Sequence, residues 1–240
     1  MREKKTIRIA HLYPREMNIY GDWGNVLTLV RRLEWHGYAP EVVQHHPGKP
    51  FPENIDLVIG GGGQDSGQLA VGDDLLTQSE ALHALADDGV PMLVICGLYQ
   101  LFGRFFKTAD GHTIEGIGIF GAETHGGPER FIGNTIIDTK FGELIGYENH
   151  SGLTLLDDDQ LALGRVTKGK GNNGVDATEG AVYKQVYGSY LHGSLLPKNP
   201  VFADALIAAA VTHRYGKFTP KKIDDTFAEY AREVAKRRPR

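Results

Sequence analysis

The amino-acid sequence predicts an α/β fold: an open, mostly parallel β-sheet flanked by helices, with extra β-hairpins. Three observations lead to this fold class. The first half alternates short β-type runs with segments of helical periodicity, as parallel sheets require. Its β-type runs, such as VPMLVI, are continuously apolar rather than alternating, which is typical of strands buried on both faces. The middle is rich in glycine and in short β-type segments, which predicts the added hairpins.

The elements of the first half follow in order. TIRIAHLY is the first strand and is bounded by Pro14. In the next segment, apolar residues from Val26 to Leu33 recur at helical spacing, and Gly37 ends the helix. PEVVQHH and IDLVIGGGG are the second and third strands, and a helix is predicted over Leu75–Ala86. VPMLVI is the fourth strand, and the segment LYQLFG after it begins another helix.

The second half changes character and then returns to helix. NTIIDT and GAVYKQVYGSY are short β-type segments separated by turns such as GKGNNG. NPVFADALIAAAVTHRYG predicts a long helix, and a final helix carries one apolar stripe, formed by Ile223, Phe227, Tyr230 and Val234. Because the chain contains no internal repeat or long low-complexity linker, we predict a single domain over residues 1–240.

Composition excludes several classes of function. The 240 residues are 41% hydrophobic and 23% charged, which is ordinary for a globular protein with a substantial core. A formal net charge of -4 provides no whole-chain attraction to nucleic acid or to an anionic membrane. One cysteine excludes an internal disulfide framework and CxxC metal motifs. Because we find no signal peptide or membrane-length apolar segment, we expect a cytoplasmic protein. We also expect no metal and no cofactor.

The single cysteine, Cys96, stands at the carboxyl end of a predicted parallel strand, where open α/β sheets place their ligand sites. Gly97 follows directly, so the chain can turn sharply into the next helix, as in a nucleophile elbow. This position favours a nucleophilic thiol, activated by the helix N-terminus, with the Gly97 N–H available to an oxyanion. The alternative is that the cysteine is a small buried hydrophobic residue.

The glycine run GGGGQDSGQ ends an earlier strand and reaches the same edge of the sheet. Gly62 and Gly63 within it can bring backbone N–H groups close to a ligand, as an oxyanion hole requires. The run lacks the lysine of a phosphate-binding loop and the spacing of a dinucleotide fingerprint, so a nucleotide is disfavoured. A surface turn remains open as an alternative.

A thiol nucleophile needs a base, and among ten histidines His192 is the best placed. It follows a β-rich run and precedes Gly193, again at the end of a strand. A histidine at that edge can accept the proton of Cys96, although a structural histidine would also fit the spacing.

The segment CGLYQLFG resembles the C-G-x-Y-Q-x-x-G signature of class I (triad-type) glutamine amidotransferases, in particular the cobyric-acid-synthase-like branch. VIGGGGQDSGQ, GYENHSG and GSYLHGSLLPKNP resemble that branch in the same order, over nearly the whole chain. The resemblance implies a flavodoxin-like fold in which Cys96 attacks the carboxamide of glutamine and His192 transfers protons. It also implies an oxyanion hole formed by Gly62, Gly63 and Gly97.

The resemblance further implies three substrate-binding residues. Arg130, in GGPERFIGN, matches the family arginine that holds the charged end of the substrate, and a guanidinium suits a carboxylate. Gln100 matches the glutamine that follows the nucleophile. The ENH segment, Glu148–His150, would line the pocket, with His150 as its substrate-binding residue, although an edge-strand turn is the alternative for this segment.

One departure from the family pattern concerns the catalytic triad. Many relatives carry H-x-E, with a glutamate that orients the histidine, whereas this chain has Ser194 at that position. A partner subunit is one possible source of the missing carboxylate. A poorly fixed imidazole tautomer predicts a slow glutaminase when the chain is alone.

Within the branch, short free-standing chains of this kind resemble glutaminase subunits that supply ammonia to a MurT-like, Mur-ligase-family partner in a heterodimer. The implied function is hydrolysis of L-glutamine, with the ammonia used to amidate the α-carboxylate of D-glutamate in the lipid II stem peptide. Membrane contact is then at most peripheral, through lipid II. Two alternatives stay open: a different acceptor, such as a cobyrinate-type corrinoid, and a non-catalytic partner scaffold.

Overall fold

The computed structural model describes residues 4–238, and its centre is an open six-stranded sheet. The strand order is β11-β12-β4-β3-β1-β2, and every pair is parallel except β11 with β12. These strands are β1 (Thr6–Leu12), β2 (Ala39–His45), β3 (Leu57–Gly60), β4 (Met92–Ile95), β11 (Ala181–Tyr183) and β12 (Val186–Ser189). The predicted open, mostly parallel sheet is confirmed.

Helices alternate with the strands in the first half of the chain, and two more follow β12. The helices are α1 (Trp23–His36), α2 (Asp65–Thr77), α3 (Ser79–Asp88), α4 (Gly97–Phe102), α5 (Pro200–Tyr215) and α6 (Thr226–Arg237), with a 3₁₀ turn at Leu196–Lys198. Where the sequence predicts one helix over Leu75–Ala86, the structure has α2 and α3, which meet at Gln78. Helix α2 begins directly after the glycine run. Glycines inside α2 weaken its helical pattern in the sequence, and one of them, Gly72, allows the side chain of Ile114 to approach closely.

The glycine-rich middle of the chain forms a second, mainly antiparallel sheet. Its strands are β5 (Phe105–Lys107), β6 (Thr113–Glu115), β7 (Ala122–Thr139), β8 (Gly142–Leu156), β9 (Gly164–Lys168) and β10 (Thr178–Glu179). The long strands β7 and β8 form a hairpin, and their register shifts between Gly126 and Phe131. The predicted extra hairpins are therefore confirmed. The strands of this region do not extend the central sheet but form a second sheet of their own.

One continuous cluster of buried side chains joins the two sheets. Every residue of β3, β4 and β12 is buried, which explains why β3 and β4 are continuously apolar and do not alternate. The interpretation of residues 1–240 as one domain stays a prediction.

The C-terminal helix α6 buries none of its residues. It begins at Thr226, so Ile223 of the predicted stripe lies before the helix, and Phe227 and Tyr230 are 87% and 71% exposed. The Arg232 guanidinium attaches the helix to the rest of the molecule by donating to Asn199 Oδ1 at 2.6 Å.

Candidate active site

Cys96 occupies the turn between β4 and α4, at the carboxyl edge of the parallel sheet. Its backbone has φ 49° and ψ −104°, a left-handed conformation that is unfavourable for a residue with a side chain. The Cys96 N–H donates to Ser189 O at 2.8 Å, which ties the turn to strand β12. The side chain is buried, yet it forms part of the wall of a cleft of about 670 Å³. The strained turn is the geometry of a nucleophile elbow.

Gly97 makes this turn possible. A Cβ at this position would lie 2.8 Å from Met17 Cε and 3.0 Å from the Gly63 nitrogen. Any larger residue would therefore separate the nucleophile turn from the glycine run. Helix α4 has only six residues, so close backbone packing, rather than a long helix dipole, defines the surroundings of the thiol.

His192 reaches the same point from the far end of the chain. It follows β12, and its backbone pairs with Tyr147, where the His192 N–H donates to the Tyr147 carbonyl at 2.8 Å. Its ring and the Cys96 side chain converge over Gly62. A Cβ at Gly62 would lie 2.6 Å from His192 Cε1 and 3.0 Å from Cys96 Cβ. The structure thus brings together the thiol and imidazole predicted from the ends of two strands.

The surroundings of His192 favour its protonated form. Burial alone would lower the pKa of the imidazole, but negative charge on Cys96 and on the Asp22 carboxylate outweighs burial and raises the pKa of His192 to about 10. The Asp22 Oδ2 atom lies 3.5 Å from His192 Nδ1, and both side chains are buried. That separation is an ion-pair distance, longer than a hydrogen bond. Asp22 lies in the segment IYGDWGN and was not assigned a role from the sequence, because nothing local to that segment relates it to His192.

The three backbone amides predicted for the oxyanion hole are not equivalent. The Gly62 N–H donates to Asp22 Oδ2 at 2.8 Å, so this amide is already committed to a carboxylate. The N–H groups of Gly63 and Gly97 have no acceptor within residues 4–238. The geometry therefore favours Gly63 and Gly97 as oxyanion donors and gives Gly62 the role of a close-packing and anchoring residue.

The cleft beside Cys96 contains all three predicted substrate-binding residues, Gln100, Arg130 and His150. Arg130 is exposed at the cleft and donates to Asn149 Oδ1 at 3.1 Å. Three further residues of the cleft wall are Tyr20, Gln68 and Asn149. Asn149 belongs to the ENH segment predicted to line the pocket, whereas Tyr20 and Gln68 have no role assigned from the sequence and are recognisable only once the fold is known.

Gln100 belongs to a buried chain of hydrogen bonds. Gln68 Nε2 donates to Gln100 Oε1 at 2.8 Å, and Gln100 Nε2 donates to the Tyr190 hydroxyl at 3.1 Å. Since each end of the Gln100 amide already has a partner, this residue fixes the wall of the cleft more than it offers free groups to a substrate.

His150 contributes a neutral, largely buried ring to the cleft wall. Burial lowers the pKa of His150 to about 3, so the ring is neutral near pH 7. Its Nδ1 lies 2.8 Å from Gly152 O and therefore carries the proton, which leaves Nε2 as an acceptor with no partner among the described residues. The ring stacks on Tyr190 at a centroid distance of 3.6 Å. In the same ENH segment, Glu148 instead accepts the N–H groups of Lys170 and Gly171 and stabilises a neighbouring loop.

Residues 4–238 hold no cluster of three or more histidine, cysteine, aspartate or glutamate side chains arranged to bind a metal ion. None of the helices in that range combines the length and apolar character needed to span a bilayer.

A cysteine on a strained strand-to-helix turn, a facing imidazole and nearby glycine amides define a thiol-dependent amidohydrolase site on an α/β fold. Residues 8–200 match the CobB/CobQ-like glutamine amidotransferase domain. The chain therefore belongs to the CobB/CobQ-like family of glutamine amidotransferases.

Two relatives match most of the chain. The chain is 42% identical over 218 residues to the lipid II isoglutaminyl synthase (glutamine-hydrolyzing) subunit GatD of Streptococcus pneumoniae, covering 88% of this chain and 83% of that protein. It is 36% identical to the GatD subunit of Staphylococcus aureus, covering 95% of this chain and 94% of that protein. A probable cobyric acid synthase of Methanothermobacter thermautotrophicus is 34% identical over 120 residues, which cover 43% of this chain and 23% of that enzyme.

Solved structures show the same fold at low sequence identity. PurLQS from Thermotoga maritima superposes with a TM-score of 0.54 at 15% identity, covering 88% of this chain and 100% of that chain. A glutamine amidotransferase from Thermotoga maritima superposes with a TM-score of 0.52 at 17% identity, covering 96% of this chain and 93% of that chain.

Proposed function

We propose that this chain is the glutaminase subunit of a lipid II isoglutaminyl synthase. It would hydrolyse L-glutamine to L-glutamate and ammonia through a thioester on Cys96, and it would supply the ammonia to a ligase subunit. The observation that carries the proposal is the convergence of the Cys96 and His192 side chains over Gly62, at a cleft in a chain of this family.

The chemistry follows from that pair. The Cys96 thiolate attacks the carboxamide carbon of glutamine, and His192 donates its proton to the amide nitrogen as the C–N bond breaks and ammonia leaves. His192 then takes a proton from water, which attacks the γ-glutamyl thioester. Cleavage of the C–S bond releases glutamate and restores the thiol. Negative charge develops on the carbonyl oxygen in both steps, and the N–H groups of Gly63 and Gly97 would donate to that oxygen.

The cleft has groups that suit a free amino acid. The exposed guanidinium of Arg130 would pair with the α-carboxylate of glutamine. The neutral ring of His150, which stacks on Tyr190, would form part of the wall of the binding cleft. Gln100 would support the binding wall through Gln68 and Tyr190. These roles require glutamine to lie with its side-chain carboxamide toward Cys96.

A ligase partner follows from the fate of the product. Ammonia is mostly protonated in neutral water and is then no longer a nucleophile, so a synthase must transfer it along a shielded path. The sequence contains no phosphate-binding loop of the Walker type, so the acceptor would be activated on another subunit. The GatD relatives favour a MurT-like partner that uses ATP to amidate the α-carboxylate of D-glutamate in lipid II to D-isoglutamine. The heterodimer would then act in the cytoplasm, with membrane contact only through lipid II.

Glutamate release by the purified chain tests the first half of the proposal. We expect wild-type protein to hydrolyse glutamine and Cys96→Ala and Cys96→Ser to lose activity by about 10³-fold or more, with unchanged melting temperatures. A glutamine-analogue diazoketone should add one covalent label, on Cys96, as read by mass spectrometry. Equal hydrolysis by wild type and Cys96→Ala would refute a catalytic role for the thiol.

Reconstitution with a MurT-like ligase tests the acceptor. Glutamine-dependent amidation of lipid II should require ATP and Cys96, whereas added ammonium chloride should restore amidation to the Cys96→Ala complex. A stable complex with a corrinoid synthetase, and none with a Mur-family ligase, would assign a different acceptor.

A further inference from the structure

The loop that precedes helix α1 carries a buried carboxylate next to the imidazole of His192. The Asp22 side chain is 3% exposed, and its Oδ2 lies 3.5 Å from His192 Nδ1. The same oxygen accepts the Gly62 N–H at 2.8 Å, while Oδ1 has no hydrogen-bond partner within residues 4–238. His192 Nδ1 also has none there. A small movement of either side chain would thus turn two unsatisfied buried groups into a hydrogen bond.

The glycine run is shaped around this carboxylate. A Cβ at Gly61 would lie 2.8 Å from Asp22 Cβ and 3.0 Å from Asp22 Oδ2. Gly62 supplies the N–H that orients the carboxylate and leaves room for the ring of His192. The loop and the run therefore hold Asp22 in one place before any substrate binds.

Ser194 explains why a carboxylate can reach His192 from this side. Ser194 stands two residues after the histidine, where the H-x-E pattern has its glutamate. Its hydroxyl donates to Gly21 O at 2.8 Å, and a Cβ at Gly24 would lie 2.2 Å from Ser194 Oγ. The small side chain thus brings the segment 21–24, which includes Asp22, against the histidine turn.

The other charged groups around His192 are already used. Glu179 accepts the Tyr190 N–H at 2.6 Å and the Ser189 hydroxyl at 3.2 Å. Lys198 Nζ donates to Gly193 O at 2.6 Å. Tyr20 faces the imidazole with its ring, at a centroid distance of 4.6 Å. Asp22 is therefore the carboxylate positioned to accept a hydrogen bond from Nδ1–H.

We infer that Asp22 is the positioning residue of the catalytic histidine: it accepts a hydrogen bond from Nδ1–H of His192 and directs Nε2 toward Cys96. The inference rests on the proposed glutaminase function. Asp22 would provide, from within the chain, the orienting carboxylate for which the sequence analysis considered a partner subunit, because the H-x-E glutamate is absent. The charge that Asp22 provides also stabilises the imidazolium formed when Cys96 loses its proton.

Asp22→Asn is the decisive variant. An asparagine oxygen can still accept the Gly62 N–H, but the side chain loses the negative charge that faces Nδ1 of His192. We expect kcat for glutamine hydrolysis to fall roughly 10²-fold or more, with KM changed less than about threefold and the melting temperature nearly unchanged. Asp73→Asn, which removes the same charge from an exposed position of α2, is the matched control and should behave as wild type.

A second readout does not depend on turnover. Iodoacetamide alkylates the thiolate of Cys96, and its rate is followed against pH in wild type, Asp22→Asn and Asp73→Asn. At pH 7 we expect Asp22→Asn to react roughly tenfold more slowly, because a less stable imidazolium supports less thiolate. A purely structural role for Asp22 would not shift this pH profile in a protein with an unchanged melting temperature.

Each outcome has a separate meaning. Wild-type kcat and an unshifted alkylation profile in Asp22→Asn would overturn the inference while leaving the glutaminase intact. Full recovery of Asp22→Asn upon addition of the ligase would also overturn it, since the partner would then supply the carboxylate. If wild-type protein hydrolysed no glutamine, either alone or with the ligase, the proposed function would be refuted. The alkylation profile would then still show whether Asp22 affects the reactivity of Cys96.

If the Asp22→Asn variant does not fold, the tautomer of His192 provides an independent test. In Cys96→Ala, ¹⁵N spectroscopy of neutral His192 should show the proton on Nδ1. A proton on Nε2 would overturn the inference.

Discussion

Gly62→Ala tests whether the site depends on atomic contact between the glycine run and the catalytic pair. The new Cβ would lie 2.6 Å from His192 Cε1. Carbon atoms in contact prefer a separation of about 3.5–4.0 Å, so the ring or the run must move by roughly 1 Å. A displacement of that size costs about 10²-fold in rate, and overpacking destabilises the fold by about 1–3 kcal/mol. We therefore expect a large loss of kcat in a protein that still folds.

Glutamate release under steady-state conditions measures this loss, and chemical denaturation measures the change in the free energy of unfolding. Gly133→Ala is the matched control, because a Cβ there meets no atom within 4 Å and the backbone is not left-handed. It should leave both quantities unchanged. If Gly62→Ala kept kcat within about threefold of wild type, the close convergence of His192 and Cys96 over this glycine would be the wrong description of the active site.

Three further predictions concern other parts of the molecule. Burial raises the pKa of Glu179 from 4.5 to about 7, so its stabilising contribution is fully present below pH 4.5 and is lost as the pH rises through 7. Relative to Glu179→Gln, the free energy of unfolding of wild type should therefore fall by about 3 kcal/mol over that range. Parallel pH curves for the two proteins would contradict this prediction. Arg130→Ala should raise KM for glutamine about 10–100-fold with a smaller effect on kcat, and an unchanged KM in initial-rate measurements would remove Arg130 from substrate binding. Arg32 is buried and paired with two aspartates, so Arg32→Ala should lower the free energy of unfolding in urea by roughly 3 kcal/mol. Arg31→Ala, on the exposed face of the same helix, should lower it by no more than about 0.5 kcal/mol. Equal effects of the two substitutions would refute the structural role of the buried ion pairs.

The central sheet could be predicted because its strands are buried on both faces. Burial of that kind requires continuous apolar runs, and such runs are visible in the sequence. Cys96 could be identified because it follows directly on β4, and His192 because it comes shortly after the β-rich run that contains β12. The carboxyl ends of parallel strands meet at one edge, so position along the strands was enough to bring the two residues together.

Other features depend on contacts between distant segments, and no local pattern records them. Asp22 precedes a helix and would be assigned a capping role from sequence, yet its side chain makes no capping hydrogen bond and instead approaches His192. The pairing of Gln68 with Gln100 requires α2 to begin directly after the glycine run. The second sheet was underestimated because its strands are partly exposed and interrupted by a register shift.

The pairing of β12 with β4 has a consequence for protein synthesis. Val186–Ser189 lie parallel to Met92–Ile95, and the ribosome completes them only after the long hairpin of the second sheet has been made. Until then the nascent chain holds β4 as an unpaired sheet edge, and the thiol at its end has no base beside it. Fragments that end before β12 should therefore be chemically inert toward glutamine and prone to aggregate, so that the reactive sulfur is activated only in a nearly finished polypeptide.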